Sequence, residues 1–348
     1  MRKTAAKLLA AVAIATSVAT VATGTAVADP AAGVTPAAQD IVGVGSDTTQ
    51  AVLNQFSTDY NAFLGASSTL PRLYSWDAIG TSPITTKTGA TSIARPNGSG
   101  AGISALNANT KTTVDFARSS RGPKAGDPAS DLFVAFAKDA VSYATATTGS
   151  HAPVDLTKDA LTKIYNCTYT NWNQIPGYTG VGGAIKAYLP QTGSGTLSFF
   201  LSALGLAAGG TCVQPTAVQE NQGTDPLLAD ADAIVPYSVA HYIGQVYNGH
   251  GSGTDQAGAV TVRSIDGIAP IDAAHVLTKT FSDTTFGRVV YNVVREANWN
   301  AGDTQATALR AIFGTNGWVC KNATAAADIT SYGFRTLPVG ACGSTTHA

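Results

Sequence analysis

From Gln191 to Leu204 the chain passes from glycine and hydroxyl residues straight into an apolar run. Gln191-Thr192-Gly193-Ser194-Gly195-Thr196 is followed by Leu197, Phe200, Leu201 and Leu204. That spacing of three and four residues predicts a helix starting near Gly195. The first N–H groups of a helix have no acceptor within it, and the helix dipole places positive potential at the same end. Gly193 and Gly195 let another group approach the main chain closely, and Ser194 and Thr196 add hydroxyl donors. Such a turn is either a Ser/Thr-capped helix start that needs no ligand or a cradle for phosphate, sulfate or a carboxylate.

The same local pattern recurs. Ile41-Val42-Gly43-Val44 reads as a short strand that runs through Gly45-Ser46-Asp47-Thr48 into a helix, with Val52, Leu53, Phe56, Tyr60 and Phe63 on one face and Asp47 or Thr48 as N-cap. Arg95-Pro96-Asn97-Gly98-Ser99-Gly100-Ala101-Gly102 precedes Ile103 and Leu106, and a strand over Val114–Ala117 ends in Arg118-Ser119-Ser120-Arg121. Four such turns point to one site, because open α/β sheets place ligands beyond the carboxyl ends of their strands.

Further along, Leu132–Ala144 reads as a long buried strand, Leu156–Tyr165 as an amphipathic helix capped by Thr157, and Ala233–Ser238 and Val239–Tyr247 as strand and helix. Phe286–Val294 is a second long strand, and a late helix contains Leu309–Phe313; Ser75–Asn97 and Asn248–Gly258 are loops. Alternating strands and helices with two long crossovers predict an α/β chain of two lobes around a ligand cleft. Lobe one is expected at 40–138 plus 285–348 and lobe two at 139–284, after a loose Ala/Pro-rich leader at 29–39.

The net charge is −1, which gives no nucleic-acid footprint. Only 12% of residues are charged, and Ala, Thr, Gly and Ser replace them, as suits an exported chain. Arg2, Lys3 and Lys7 precede an apolar run from Leu8 to Ala22, and Ala26-Val27-Ala28 is a small-x-small cleavage pattern. Together these read as a secretory signal peptide over 1–28, cleaved after Ala28. No cysteine follows that site directly, so no lipid anchor is expected. Cys167, Cys212, Cys320 and Cys342 allow three pairings. Cys167–Cys212 with Cys320–Cys342 is preferred because each bond then closes a moderate local loop. There is no C-x-x-C, and His151, His241, His250, His275 and His347 lie far apart, so no metal or cofactor is expected.

Several segments resemble the phosphate-binding proteins of ABC importers, within the type II periplasmic-binding-protein family. Thr192-Gly193-Ser194-Gly195-Thr196 is similar to that family's Ser-Gly-Thr phosphate loop, and Val114–Ser120 to its Val-Asp-Phe-Gly-Ala-Ser-Asp segment. Leu161–Asn173, ending in Asn171-Trp172-Asn173, resembles its Asn-Trp-Asn segment. The resemblance implies phosphate, or a similar tetrahedral oxyanion, held by main-chain N–H groups and hydroxyls, an ABC permease as partner, and a monomer. It places Gly193, Ser194, Gly195 and Thr196 at the ligand, with Ser46, Asp47 and Thr48 from the first turn, Ser99 from the second, and Ser119 and Ser120 from the third.

Two positions depart from that pattern. The family's arginine, four residues before the loop serine, is Pro190 here, and its aspartate after the Val-Asp-Phe segment is Ser120. Arg95, Arg118 or Arg121 is expected to supply the cation, since a guanidinium fork suits a tetrahedral oxyanion. Asp47 is open to two roles, the acceptor for a protonated anion or a plain helix N-cap. Two other functions remain open: a secreted surface or wall protein with this fold and weak or no oxyanion binding, and a secreted serine hydrolase or phosphatase. Gly-x-Ser-x-Gly, Walker A and His-Glu-x-x-His motifs are all missing, so a binding protein, not an enzyme, is expected.

Overall fold

The computed structural model describes residues 29–31 and 33–348; the signal peptide expected over 1–28 lies outside the described residues. The chain enters through β1 (Ile41–Gly45), α1 (Gln50–Leu64), β2 (Leu73–Ser75), α2 (Ser99–Ala108) and β3 (Phe116–Ser119), and leaves along the 16-residue β4 (Asp131–Ala146). Next come β5 (Asp155–Leu156), α3 (Lys158–Tyr165), β6 (Lys186–Ala187), α4 (Gly195–Leu204), β7 (Ala233–Ser238), α5 (Val239–Val246), β8 (Val260–Val262), β9 (Ser264–Ile265) and α6 (Lys279–Ser282). The return strand β10 (Gly287–Arg295) leads to α7 (Glu296–Asn300), α8 (Thr304–Phe313), α9 (Trp318–Lys321), α10 (Ala323–Ser331), β11 (Arg335–Thr336) and β12 (Thr345–His347).

β4 serves both lobes, and almost all of it is buried. Its first half pairs antiparallel with β10, β11 and β12; its second half pairs with β7 and β8. In lobe one, β2, β1 and β3 run parallel and β10 lies antiparallel beside β3. One face of that sheet packs Phe56, Phe116, Phe136, Phe313 and Trp318, and the other packs Val44, Ile103, Phe133 and Val293. Lobe two has its own cores, around Tyr165, Trp172 and Phe200 and around Tyr188, Val235 and Tyr237. The fold is therefore the two-lobe α/β architecture expected, with β4 and β10 as the crossovers. Both preferred disulfides, Cys167–Cys212 and Cys320–Cys342, are formed, each within one lobe.

Two local expectations need correcting. The N-cap of α1 is Thr49, with no side-chain cap bond, and not Asp47 or Thr48. Those two side chains are drawn away by amides and a hydroxyl of lobe two. The 29–39 leader is also not loose. Asp29 makes a two-pronged ion pair with Arg95, and the Pro36 carbonyl accepts from the Thr88 N–H and hydroxyl.

The 75–97 loop is held from beneath by Lys87. Its ammonium is fully buried and bonds Asp115 Oδ2 at 2.6 Å and the Asp40 carbonyl at 2.9 Å. Burial pushes the Asp115 carboxyl up to about 6 in spite of Lys87. Removing one partner of a buried pair leaves the other charge uncompensated. Lys87→Met is thus expected to cost ~3–5 kcal/mol in urea unfolding, with part of the loss recovered when Asp115→Asn is added.

Candidate functional site

All four glycine/hydroxyl turns meet between the lobes. The Thr48 and Thr196 hydroxyls are 3.2 Å apart, and the Ser99 and Ser120 hydroxyls 3.3 Å apart. Ser99 Oγ also accepts from the Ser120 N–H at 3.0 Å. The Gly100 N–H donates to the Gly193 carbonyl across the cleft at 2.8 Å. Gly195 fits under the serines because it lacks a side chain: a Cβ there would stand 2.2 Å from Ser99 Oγ and 2.4 Å from Ser120 Oγ. Ser46, Thr48, Ser99, Ser120 and Thr196 are all buried, and Ser46 Oγ has no partner. α4 starts at Gly195, beside these hydroxyls, and the first N–H groups of a helix have no acceptor within it.

Ser194 and Thr196 have separate tasks. Ser194 Oγ accepts from the Leu197 N–H as the N-cap of α4 and donates to Glu220 Oε2 at 2.6 Å. Its only proton is therefore committed to a carboxylate that is itself buried and whose Oε1 has no partner. Thr196 instead faces Arg288, whose Nη2 lies 3.1 Å from Thr196 Oγ1. Arg288 Nε and Nη2 both reach Asp139 Oδ2, at 2.9 and 2.8 Å. Nη1 is buried with no acceptor. Arg288 on β10 and Asp139 on β4 are register partners on the two crossover strands.

The three arginines expected at the site are engaged elsewhere. Arg95 is held by Asp29 and by the Asp77 and Thr81 carbonyls. Arg118 is fully buried and donates to the Ser46, Gly45 and Trp76 carbonyls and to Ser75 Oγ, so it braces the first turn from behind. Burial brings it down to about 10, which leaves it cationic at neutral pH. Arg121 is paired through both terminal nitrogens with Asp127. The Ser119 hydroxyl donates to the Arg121 carbonyl inside its own turn. Asp47 does reach the inter-lobe contact: its carboxylate accepts from Gln219 Nε2 at 2.7 Å.

Residues 30–260 match the family model described as the PBP superfamily domain. The chain belongs to the PBP superfamily. A search of curated proteins finds no match. Among solved structures, this PBP chain resembles an ABC-type phosphate transport receptor from Vibrio cholerae at 18% identity and TM-score 0.56, over 86% of this chain and 100% of the other. It also resembles a putative phosphate ABC transporter substrate-binding protein with bound phosphate from Clostridium perfringens, at 15% identity and TM-score 0.58 over the same shares. A phosphate-binding protein from Stenotrophomonas maltophilia matches at 15% identity and TM-score 0.51, over 87% and 91%. At such identities the likeness establishes a shared fold. Among the described residues no helix is long and apolar enough to cross a membrane.

Sequence reasoning missed Arg288, Asp139, Glu220 and the Gln219–Asn221 segment of this PBP chain. A signal existed for the first two. Arg288 and Asp139 are charges set within long apolar runs, where an unpaired charge is costly. Glu220 and its neighbours sit in an irregular stretch that no pattern marks.

The inter-lobe contact is strongly coupled electrostatically. Burial, then the charges of Glu220 and Asp255, push Asp47 up to about 8, against His241 and the Gln219 amide. Burial opposes a charge on His241, but Asp255 lies 2.6 Å from its Nε2, and the ring is raised to about 9. A carboxyl raised on folding contributes stability that is complete below its unfolded value near 4 and is lost as pH rises through about 8. His241 acts in the same direction above pH 6.5. The urea midpoint is expected to fall between pH 5 and pH 8, and Asp47→Asn to show a smaller fall; equal falls in both proteins would remove Asp47 as the source.

Proposed function

We infer that this PBP-superfamily chain is an exported binding protein that closes on inorganic phosphate, or a similar tetrahedral oxyanion, and delivers it to an ABC permease. In this reading it is cleaved after Ala28, acts as a monomer, and moves as two units, 40–138 with 285–348 against 139–284. The observation that carries the reading is Arg288: a buried guanidinium nitrogen without an acceptor, beside four turns of hydroxyls and at the N-terminus of α4. The names of its solved relatives point the same way.

The ligands would be the Thr48, Ser99, Ser120 and Thr196 hydroxyls, the main-chain N–H groups at Gly195 and Thr196, and Arg288 Nη1. The hydroxyls now bonded to one another would turn to the anion and form stronger, charge-assisted bonds. Arg288 takes the part expected of Arg95, Arg118 or Arg121. Glu220 supplies a buried acceptor, so an anion that carries a proton is matched, whereas sulfate meets a carboxyl oxygen with no proton to offer it. The main chains of Gly98 and Gly193 touch where a Cβ on Gly98 would lie 2.5 Å from the Gly193 carbonyl, which favours a small ion over a bulky ester. The hydrolase reading loses support: Ser194 faces a carboxylate and an N–H, while His241 faces Thr48 and Asp255.

Calorimetric titration is expected to show binding of phosphate and arsenate and none of sulfate. No heat with any oxyanion overturns the reading and leaves the fold to a surface protein. Arg288→Gln is expected to weaken phosphate by ~1.5–3 kcal/mol, the worth of hydrogen bonds to a charged group. Gly195→Ala, which drives a methyl into Ser99 and Ser120, is expected to abolish phosphate binding with little change in melting temperature; retained binding would move the anion away from this turn.

A further inference from the structure

The sequence has three Asn-Gly pairs, Asn97-Gly98, Asn248-Gly249 and Asn316-Gly317. In such a pair the glycine nitrogen can attack the side-chain carbonyl carbon of the asparagine, because no Cβ hinders the approach. The attack requires a nitrogen that is free and a peptide plane that can turn. Two of the pairs fail this requirement. The Gly98 N–H donates to the Gly45 carbonyl at 3.3 Å, and Asn97 is held through both ends of its amide. The Gly317 N–H donates to the Gly314 carbonyl at 2.7 Å, and Gly317 is buried so tightly that a Cβ there would meet the Ile312 carbonyl at 2.7 Å. Gly249 differs in each respect. It is exposed, has a φ of 73° with open space around it, and its N–H has no acceptor among the described residues. Asn248 is exposed too, and one hydrogen bond holds its amide: Nδ2 donates to the Ser331 carbonyl at 2.7 Å. A single exposed bond of this kind opens readily. It joins the turn after α5 to the end of α10. Beside it, His250 Nε2 lies 2.7 Å from Ser331 Oγ, and the His250 ring stacks on Tyr332 with centroids 3.7 Å apart.

We propose that Asn248 is a self-modification site, where the chain converts its own asparagine to aspartate and isoaspartate and so loosens the contact between α5 and α10. The Gly249 nitrogen bonds to Asn248 Cγ and gives up its proton. The Cγ–Nδ2 bond breaks, and the amide nitrogen leaves as ammonia with that proton. Water then opens the cyclic imide at either carbonyl. Opening at one yields aspartate; opening at the other yields isoaspartate, whose main chain is longer by one methylene. Water is the only co-reactant. Either product places a carboxylate where the amide donated, facing the Ser331 carbonyl, so the bond is lost and two acceptors meet. Isoaspartate also shifts His250 along the chain and off Tyr332. This goes beyond the phosphate reading and does not rest on it: the reaction needs no anion and lies outside the hydroxyl turns.

The test incubates the full mature chain in mildly alkaline buffer and follows each Asn-Gly pair by peptide mass mapping, with isoaspartate separated from aspartate by chromatography. Native protein is expected to convert Asn248 several-fold faster than Asn97 or Asn316. In urea the three are expected to convert at similar rates, which makes the native difference a property of the fold. Asn248→Gln keeps an amide but lengthens the side chain past the favourable ring, and is expected to lose the conversion. Native conversion at Asn97 or Asn316 that matches Asn248 overturns the assignment. So does a native Asn248 that stays intact while urea converts it. The consequence is read by hydrogen exchange over 244–250 and 330–334. Asn248→Asp and aged wild type are both expected to exchange faster there than fresh wild type, with circular dichroism confirming that each is folded. Equal exchange in all three overturns the loosening.

Discussion

The Arg288–Asp139 pair sits where the two lobes share their strands, and much of the site follows from it. Both charges are buried on adjacent crossover strands, a position that is costly unless each is bonded on every side. Asp139 meets this demand from lobe two: it accepts from the Ser238 hydroxyl at 2.9 Å and from the Ala240 N–H at 3.0 Å. Those contacts fix the start of α5 at the hinge. Arg288 meets it only in part. One nitrogen reaches Thr196 at the start of α4, and another is left over. The pair therefore ties two helix starts to the crossover strands and leaves one buried guanidinium nitrogen without an acceptor beside them.

Glycine sets how closely the lobes approach. Gly98 and Gly193 both adopt positive φ, at 100° and 94°, and their main chains touch across the cleft. Any side chain at Gly98 would hold the turns apart, and the hydroxyls of Thr48 and Thr196 could not come within bonding distance. The side-chain amides of Asn97, Gln191 and Gln219 bond one another beside this contact, so close main-chain approach and side-chain matching act as one unit.

What was legible in the sequence was what local pattern controls. The turn–helix units at Gly45, Gly98 and Gly193, the two long apolar crossovers, the Thr157 and Ser194 caps and both disulfides follow from periodicity, turn chemistry and cysteine spacing. The convergence of the four turns also followed, because strand ends in such sheets face one edge. The cation was not legible. Arg95, Arg118 and Arg121 lie near the turns in sequence, yet each meets a nearer acceptor: Asp29, the Ser46 and Trp76 carbonyls, and Asp127. Arg288 is about ninety residues beyond the loop it serves and reaches it only because β10 returns beside β4. The Asp29 contact was hidden for a similar reason, since composition marks 29–39 as loose and says nothing of a carboxylate that finds Arg95.

The acids are the harder feature of the proposed anion site. Asp47, Glu220, Asp139 and Asp255 all lie near it, and a bare anion would be repelled if every one were charged and free. None is free. Asp139 is held by Arg288, Asp255 by His241, and Glu220 by Ser194, while burial and its neighbours push Asp47 toward its neutral form. A neutral Asp47 retains a carbonyl oxygen that accepts and gains a proton that donates. The same side chain can therefore meet either a hydroxyl or a bare oxygen of the ligand. Under the proposed function, discrimination among anions falls to Glu220, whose second oxygen is buried without a donor and would be satisfied by an anion that brings one.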